Sequence, residues 1–101
     1  MDITIEELKT RMDAGEEMLI IDVREPYENA EFNIGAINFP LGSLPMRLYD
    51  FDEDKDREII VHCRSGSRSN SAKALLVQSG FSNVRNLLGG MLEWQEKYPG
   101  K

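Results

Sequence analysis

The sequence predicts an α/β layer fold with a mostly parallel sheet, and three observations carry that expectation. Two near-continuous apolar runs of strand length, "MLIIDV" (Met18 to Val23) and the one within "REIIVHC" (Arg57 to Cys63), have the pattern of strands buried on both faces. Helical patterns and strand patterns alternate along the whole chain. The two tightest polar clusters, "DVRE" (Asp22 to Glu25) and "HCRSGSR" (His62 to Arg68), sit at the ends of those two runs. Ligands of parallel sheets bind beyond the carboxyl ends of the strands.

The elements follow in order. Thr4-Ile5-Glu6-Glu7 reads as a capping box, so a helix runs from there to about Ala14, with Leu8 and Met12 on one face and Gly15 as its stop. Met18 to Val23 is the first strand. "EPYENAEF" is a short helical turn. "GAINFP", Gly35 to Pro40, is a short strand ended by its proline. "SLPMRLYDF" reads as a helix capped by Ser43, with Pro45 in its first turn. The acidic run "DFDEDKD", Asp50 to Asp56, is expected to be a solvated connection. Arg57 to Cys63 is the second buried strand. Ser69 to Ser79 is a helix with Ala72, Leu75 and Leu76 on one face and Gly80 as its C-cap. "NVRNL", Asn83 to Leu87, is the last strand, and "GGMLEWQEKY" is a terminal helix after two glycines.

A chain of 101 residues is expected to form one domain, residues 1–101. Its 41% apolar and 30% charged residues fit a folded, soluble protein. The net charge of −6 argues against nucleic acid and anionic membrane surfaces as partners. It does not exclude small anions, which respond to charges within about 10 Å at ordinary salt. No apolar run approaches the roughly 20 residues of a membrane span. One cysteine cannot form an internal disulfide, and the acidic "MDITIEELKT" start has no signal-peptide pattern. A cytoplasmic location is the expectation.

Cys63, the only thiol, stands at a strand end, in a polar loop, at the mouth of a helix. A thiol attacks as its thiolate, and the free pKa of about 8.5 falls at helix N-termini and beside cations. Arg64 and Arg68 supply positive charge. Gly66 permits a tight curl that turns amides inward. Ser65, Ser67 and Ser69 are small enough to let those amides reach a ligand. A lone cysteine is ordinarily a small buried hydrophobe. No core could bury the "RSGSR" that follows this one.

"CRSGSRS", with "IDVREP" before it and "GGMLEW" after it, resembles the rhodanese family of sulfurtransferases, and the chain is similar to its small single-domain members over essentially its whole length. The resemblance implies a three-layer α/β/α domain with a central parallel sheet of about five strands. It implies that Cys63 takes the outer sulfur of a donor such as thiosulfate, forms a persulfide and passes the sulfur to cyanide or a thiol, with no metal or organic cofactor. The active loop would be Cys63, Arg64, Ser65, Gly66, Ser67 and Arg68. Its amides and Arg68 would stabilise the sulfur anion, and Arg64 would attract the anionic donor. Asp22 and Arg24 match the family's "DVR" motif and would brace the loop or line its mouth; the alternative is purely structural, a carboxylate accepting backbone amides and an arginine paired with a neighbour. Gly89, Gly90 and Trp94 match the closing motif as turn and packing residues. "FNIGA" (Phe32 to Ala36) stands where many members read "HIPGA", which bears on pocket shape and substrate choice.

His62 invites a Cys-His reading, but adjacent strand residues point to opposite faces, so a packed histidine is expected. Met46 and Met91 are expected to fill core rather than flank the pocket. Two other readings of the chain stay open. One is a module fed by a protein sulfur donor or serving a protein acceptor, as a relay or binding domain. The other is a phosphatase or arsenate reductase of the same fold. Related phosphatases have a catalytic loop one residue longer, whereas here four residues separate Cys63 from Arg68.

Overall fold

The computed structural model describes residues 1–99; the last two residues of the expected 1–101 domain lie outside the described residues. The elements run α1 (Ile5–Asp13), β1 (Leu19–Asp22), α2 (Pro26–Glu31), β2 (Ile37–Asn38), α3 (Leu44–Arg47), β3 (Ile59–His62), α4 (Ser67–Gln78), β4 (Val84–Asn86) and α5 (Gly90–Lys97). Every strand pairing is parallel, in the order β2-β1-β3-β4.

The two faces of the sheet are set by alternation along β1 and β3. Leu19, Ile21, Ile59 and Val61 face one way and pack with Leu44, Phe51, Ala72 and Leu76 from the α3–α4 side. Ile20 and Ile60 face the other way and pack with Ile5, Leu8, Met91 and Trp94 of α1 and α5. This makes three layers. Burying one such Leu or Ile contributes about 1.5–3 kcal/mol, which is why both runs had to be apolar throughout.

The sheet has four strands rather than about five. The fifth position is held by a single bridge, in which Ile3 pairs with Leu87. Thr4 ends the extended run immediately, because its side chain caps α1 by accepting from the Glu7 amide at 3.1 Å. Asp2 substitutes for a backbone partner and accepts from the Asn86 amide at 3.0 Å.

Two further expectations are corrected. The helix expected to begin at Ser43 is a four-residue α-turn between 3-10 segments at Leu41–Ser43 and Leu48–Asp54. Part of the acidic run is therefore helical, and it anchors itself by burying Phe51. Met46 is 77% exposed, whereas Met91 is buried as expected. Among the described residues no helix is long and apolar enough to cross a membrane.

Candidate active site

β3 delivers Cys63 to the carboxyl edge of the sheet, and its register decides what surrounds the thiol. Asp22 of β1 is level with His62 of β3. Cys63, one residue on, belongs to the opposite face and packs with the α3–α4 cluster. Alternation therefore parts His62 from the thiol's side of the sheet, as expected.

The chain then turns through Gly66, whose φ of +104° is the left-handed region that glycine adopts without strain. That turn starts α4 at Ser67, two residues before the start at Ser69 that the sequence predicts. The consequence is chemical. The start of α4 lies over the sulfur, and unpaired amides of its N-cap and first turn point at it. The Gly66 amide donates to Cys63 Sγ at 3.1 Å and the Ser69 amide at 3.3 Å, and the Ser69 hydroxyl lies 3.3 Å away. Cys63 is 1% exposed. Burial acts to raise its pKa and is the largest influence. The Ser69 hydroxyl and the amides of Ser69, Gly66 and Ser65 together outweigh it, so the pKa lies below the ordinary thiol value.

The loop residues divide by direction. Ser65 and Ser67 are exposed. Arg64 is exposed and has no ion pair among the described residues; it lines a cleft of about 180 Å³ with Arg24, Glu28, Glu31, Met91 and Gln95. Larger grooves lie elsewhere, for example beside Glu6, Glu93 and Lys97 on the α1–α5 face; Cys63 lines neither that groove nor the cleft at Arg64. Arg68 commits both terminal nitrogens to the Glu28 carboxylate of α2, at 2.7 and 2.9 Å. This pair holds the Glu28 carboxyl down to about 2. Arg68 makes no hydrogen bond to the sulfur, and its charge reaches Cys63 through space.

Asp22 and Arg24 form a buried clasp at the end of β1. Asp22 accepts from the Arg24 amide, Nε and Nη2 and from Asn29 Nδ2, each at 2.9 Å. Arg24 also donates to the Phe32 carbonyl at 2.5 Å. Burial would raise the Asp22 pKa, but these partners hold it below the usual carboxylate range. The clasp ties the end of β1 to α2, which carries Glu28. On the other side, the amides of Met91 and Leu92 donate to the carbonyls of Cys63 and Arg64, at 3.0 and 2.9 Å. The Gly89-Gly90 motif thus seats α5 against the loop.

Three residues at this site, Glu28, Ser69 and Asn86, were not singled out by sequence reasoning for what they do here. Asn86 Nδ2 donates to the Gly66 carbonyl at 3.2 Å, and Asn86 Oδ1 accepts from the Ser69 hydroxyl at 2.5 Å. The available signal was a polar residue at the carboxyl end of the strand beside β3.

His62 is fully buried, and neither ring nitrogen has a hydrogen-bond partner among the described residues. Burial lowers its pKa from 6.5 to about 4, against the pull of Asp22 Oδ1 at 3.9 Å. The ring is therefore neutral in the folded protein at pH 7. Below pH 6.5 the unfolded chain binds a proton that the folded chain refuses, so stability falls as pH drops from 6.5 toward 4. The fall from this one group is expected to be about 1 kcal/mol by pH 5.5. Urea unfolding between pH 6.5 and 5.5 measures it, before the paired Glu28 and Glu58, whose ordinary value is 4.5, begin to take up protons in the unfolded chain. His62→Leu should remove most of the slope; an unchanged slope would place its origin elsewhere.

The family model described as the rhodanese-like domain matches residues 4–97. A sulfurtransferase of Allochromatium vinosum is 38% identical over 92% of this chain and 86% of its own length. The thiosulfate sulfurtransferase GlpE of Stutzerimonas stutzeri is 40% identical over 80% of this chain and 73% of its own. The solved structure of the human single-domain sulfurtransferase TSTD1 superposes with a TM-score of 0.83 at 28% identity, covering 95% of this chain and 96% of that one. The match extends from α1 through the cysteine loop to α5, and the parallel sheet that presents the loop is shared. On sequence and fold together, the chain belongs to the rhodanese family.

Proposed function

We propose that the protein is a sulfurtransferase that moves a sulfane sulfur from a small anionic donor such as thiosulfate to cyanide or a thiol through a Cys63 persulfide. One observation carries this reading: the Cys63 sulfur is held under the first turn of α4, with two amides aimed at it within 3.3 Å. Such a setting favours the thiolate over the thiol, with no metal or organic cofactor required. The thiolate attacks the outer sulfur of thiosulfate. The S–S bond of the donor breaks, and sulfite leaves with the bonding pair. Cyanide or a thiol then attacks the outer sulfur of the persulfide, and the Cys63 thiolate is the leaving group. The same amides serve both halves of the cycle.

The tight loop supports a slender donor. Four residues separate Cys63 from Arg68, and the sulfur is almost wholly covered. A terminal sulfur can be threaded to it, whereas a tetrahedral phosphate ester needs a wider cradle. With Arg68 held by Glu28, Arg64 is the loop cation left to meet the donor at the cleft. Arg68 keeps the loop's shape and adds its charge to the bound anion through space. Asp22 and Arg24 are structural supports of the mouth.

Steady-state sulfur transfer from a panel of donors, with cyanide and thiols as acceptors and a phosphate ester as control, tests this reading. Thiocyanate formed from thiosulfate supports it. Persulfide on Cys63 only after incubation with a protein donor would favour a relay module, and phosphate release would favour a phosphatase. In the same assay Arg64→Ala should raise the KM for thiosulfate roughly 3- to 10-fold with little change in kcat, since an exposed charge contact is worth about 1 kcal/mol. Added salt should weaken donor binding less in the variant than in the parent. An unchanged KM would remove Arg64 from the donor site.

A further inference from the structure

The Ser69 hydroxyl has one proton and two buried acceptors. It lies 2.5 Å from Asn86 Oδ1 and 3.3 Å from Cys63 Sγ. Ser69 and Cys63 are shielded from solvent, and Asn86 is 5% exposed. The orientation of the Asn86 carboxamide is fixed by its other end, because Nδ2 donates to the Gly66 carbonyl at 3.2 Å. Reversing the amide would set oxygen against oxygen at Gly66 and nitrogen against Ser69. Oδ1 carries no proton, so the one shared with Ser69 is the serine's own.

This arrangement behaves differently in each state of the sulfur. With Cys63 as a thiol, the S–H can donate to Ser69 Oγ while Ser69 donates to Asn86, and every group is satisfied. With Cys63 as a thiolate, the sulfur accepts a third donor beside the Gly66 and Ser69 amides, and the Ser69 hydroxyl can be that donor only by turning away from Asn86. In a persulfide the Cys63 Sγ is neutral and holds no proton, so the hydroxyl returns to Asn86. The hydroxyl rotates, no proton is passed through it, and the thiol's own proton goes to solvent before attack.

We infer that Ser69 and Asn86 are a positioning pair for the sulfur chemistry proposed above: Ser69 lends its proton to the Cys63 thiolate, both as nucleophile and as leaving group, and Asn86 competes for that proton and so limits how far the thiolate is stabilised. The inference rests on the sulfurtransferase reading for its purpose, but its physical content concerns the thiol alone.

The ionisation midpoint of Cys63 is the test, read by thiolate ultraviolet absorbance and by iodoacetamide alkylation in the full chain without any sulfur donor. Ser69→Ala should raise the midpoint by about 1 pH unit or more, the size expected for losing a hydrogen bond to an anion. Ser69→Thr, which keeps the hydroxyl, should restore it. Asn86→Ala should lower the midpoint, because the hydroxyl then has only the sulfur to serve. Asn86→Asp should raise it, because a carboxylate holds the proton harder and repels the thiolate. A general loosening of the loop would raise the midpoint in both alanine variants, so opposite signs mark the switch. If Ser69→Ala does not fold, the two Asn86 variants carry the same decision with opposite signs. Equal or absent shifts overturn the inference. In the transfer assay, discharge of a preformed persulfide to cyanide should slow about tenfold in Ser69→Ala, since Cys63 thiolate is what departs. Failure to form any persulfide would overturn the sulfurtransferase reading while leaving the midpoints to decide the role of Ser69 and Asn86.

Discussion

Cys63→Ser should lower thiosulfate-to-cyanide transfer by at least about 10³-fold while the protein stays folded. Cys63 is the only thiol in the chain, so no second sulfur can take over. The amides that stabilise a thiolate cannot make an alkoxide near pH 7, because a serine hydroxyl ionises many pH units higher than a thiol. The fold should survive because serine is nearly isosteric and the donors are already in place. The Gly66 and Ser69 amides that now reach the sulfur can donate to Oγ instead. The measurement is thiocyanate formation beside a thermal melt of the same preparation. Turnover near the parent rate in a folded variant would mean that the sulfur is carried elsewhere.

The parts of this site that the sequence revealed are those written in consecutive residues. The apolar runs of β1 and β3 announced buried parallel strands, and the alternation along β3 placed His62 and Cys63 on opposite faces before any coordinates. Cys63, Gly66 and the basic residues of the loop stand side by side in the chain, so their chemistry was legible as a unit. What the sequence did not reveal depends on residues far apart in the chain. Glu28 lies 40 positions before Arg68 and claims its guanidinium. Asn86 lies 17 positions after Ser69 and reaches it only because β4 pairs with β3.

Local boundaries failed for local reasons. Helix propensity alone places the start of α4 at Ser69, but the left-handed turn at Gly66 lets the helix begin within the loop. The stretch from Leu41 to Asp54 has helical residues, yet burial of Phe51 and Leu44 is met by short, tightly wound segments instead of one α-helix. The fifth strand was reduced to one bridge because the cap at Thr4 starts α1 and stops pairing beyond Ile3.

Gly90→Ala should destabilise the fold by about 3–5 kcal/mol, far more than Gly89→Ala. Both glycines have positive φ, +82° at Gly89 and +57° at Gly90, and a non-glycine residue there costs about 1–2 kcal/mol in either case. The surroundings separate them. A Cβ on Gly89 would meet the carboxylate end of Glu93, a flexible side chain that can swing away. A Cβ on Gly90 would lie 2.6 Å from the carbonyl oxygens of Cys63 and Arg64. Those oxygens cannot retreat without breaking the bonds they accept from Met91 and Leu92, and the backbone they belong to carries the nucleophile. The closing glycine motif is therefore a seat for the cysteine loop as well as a turn. Urea unfolding of the two variants gives the stabilities. Sulfur transfer by whatever fraction of Gly90→Ala remains folded should fall more than stability alone explains, because α5 can return only by displacing the loop. Similar losses in the two variants would show that the left-handed backbone, rather than the contact with Cys63 and Arg64, is what the motif protects.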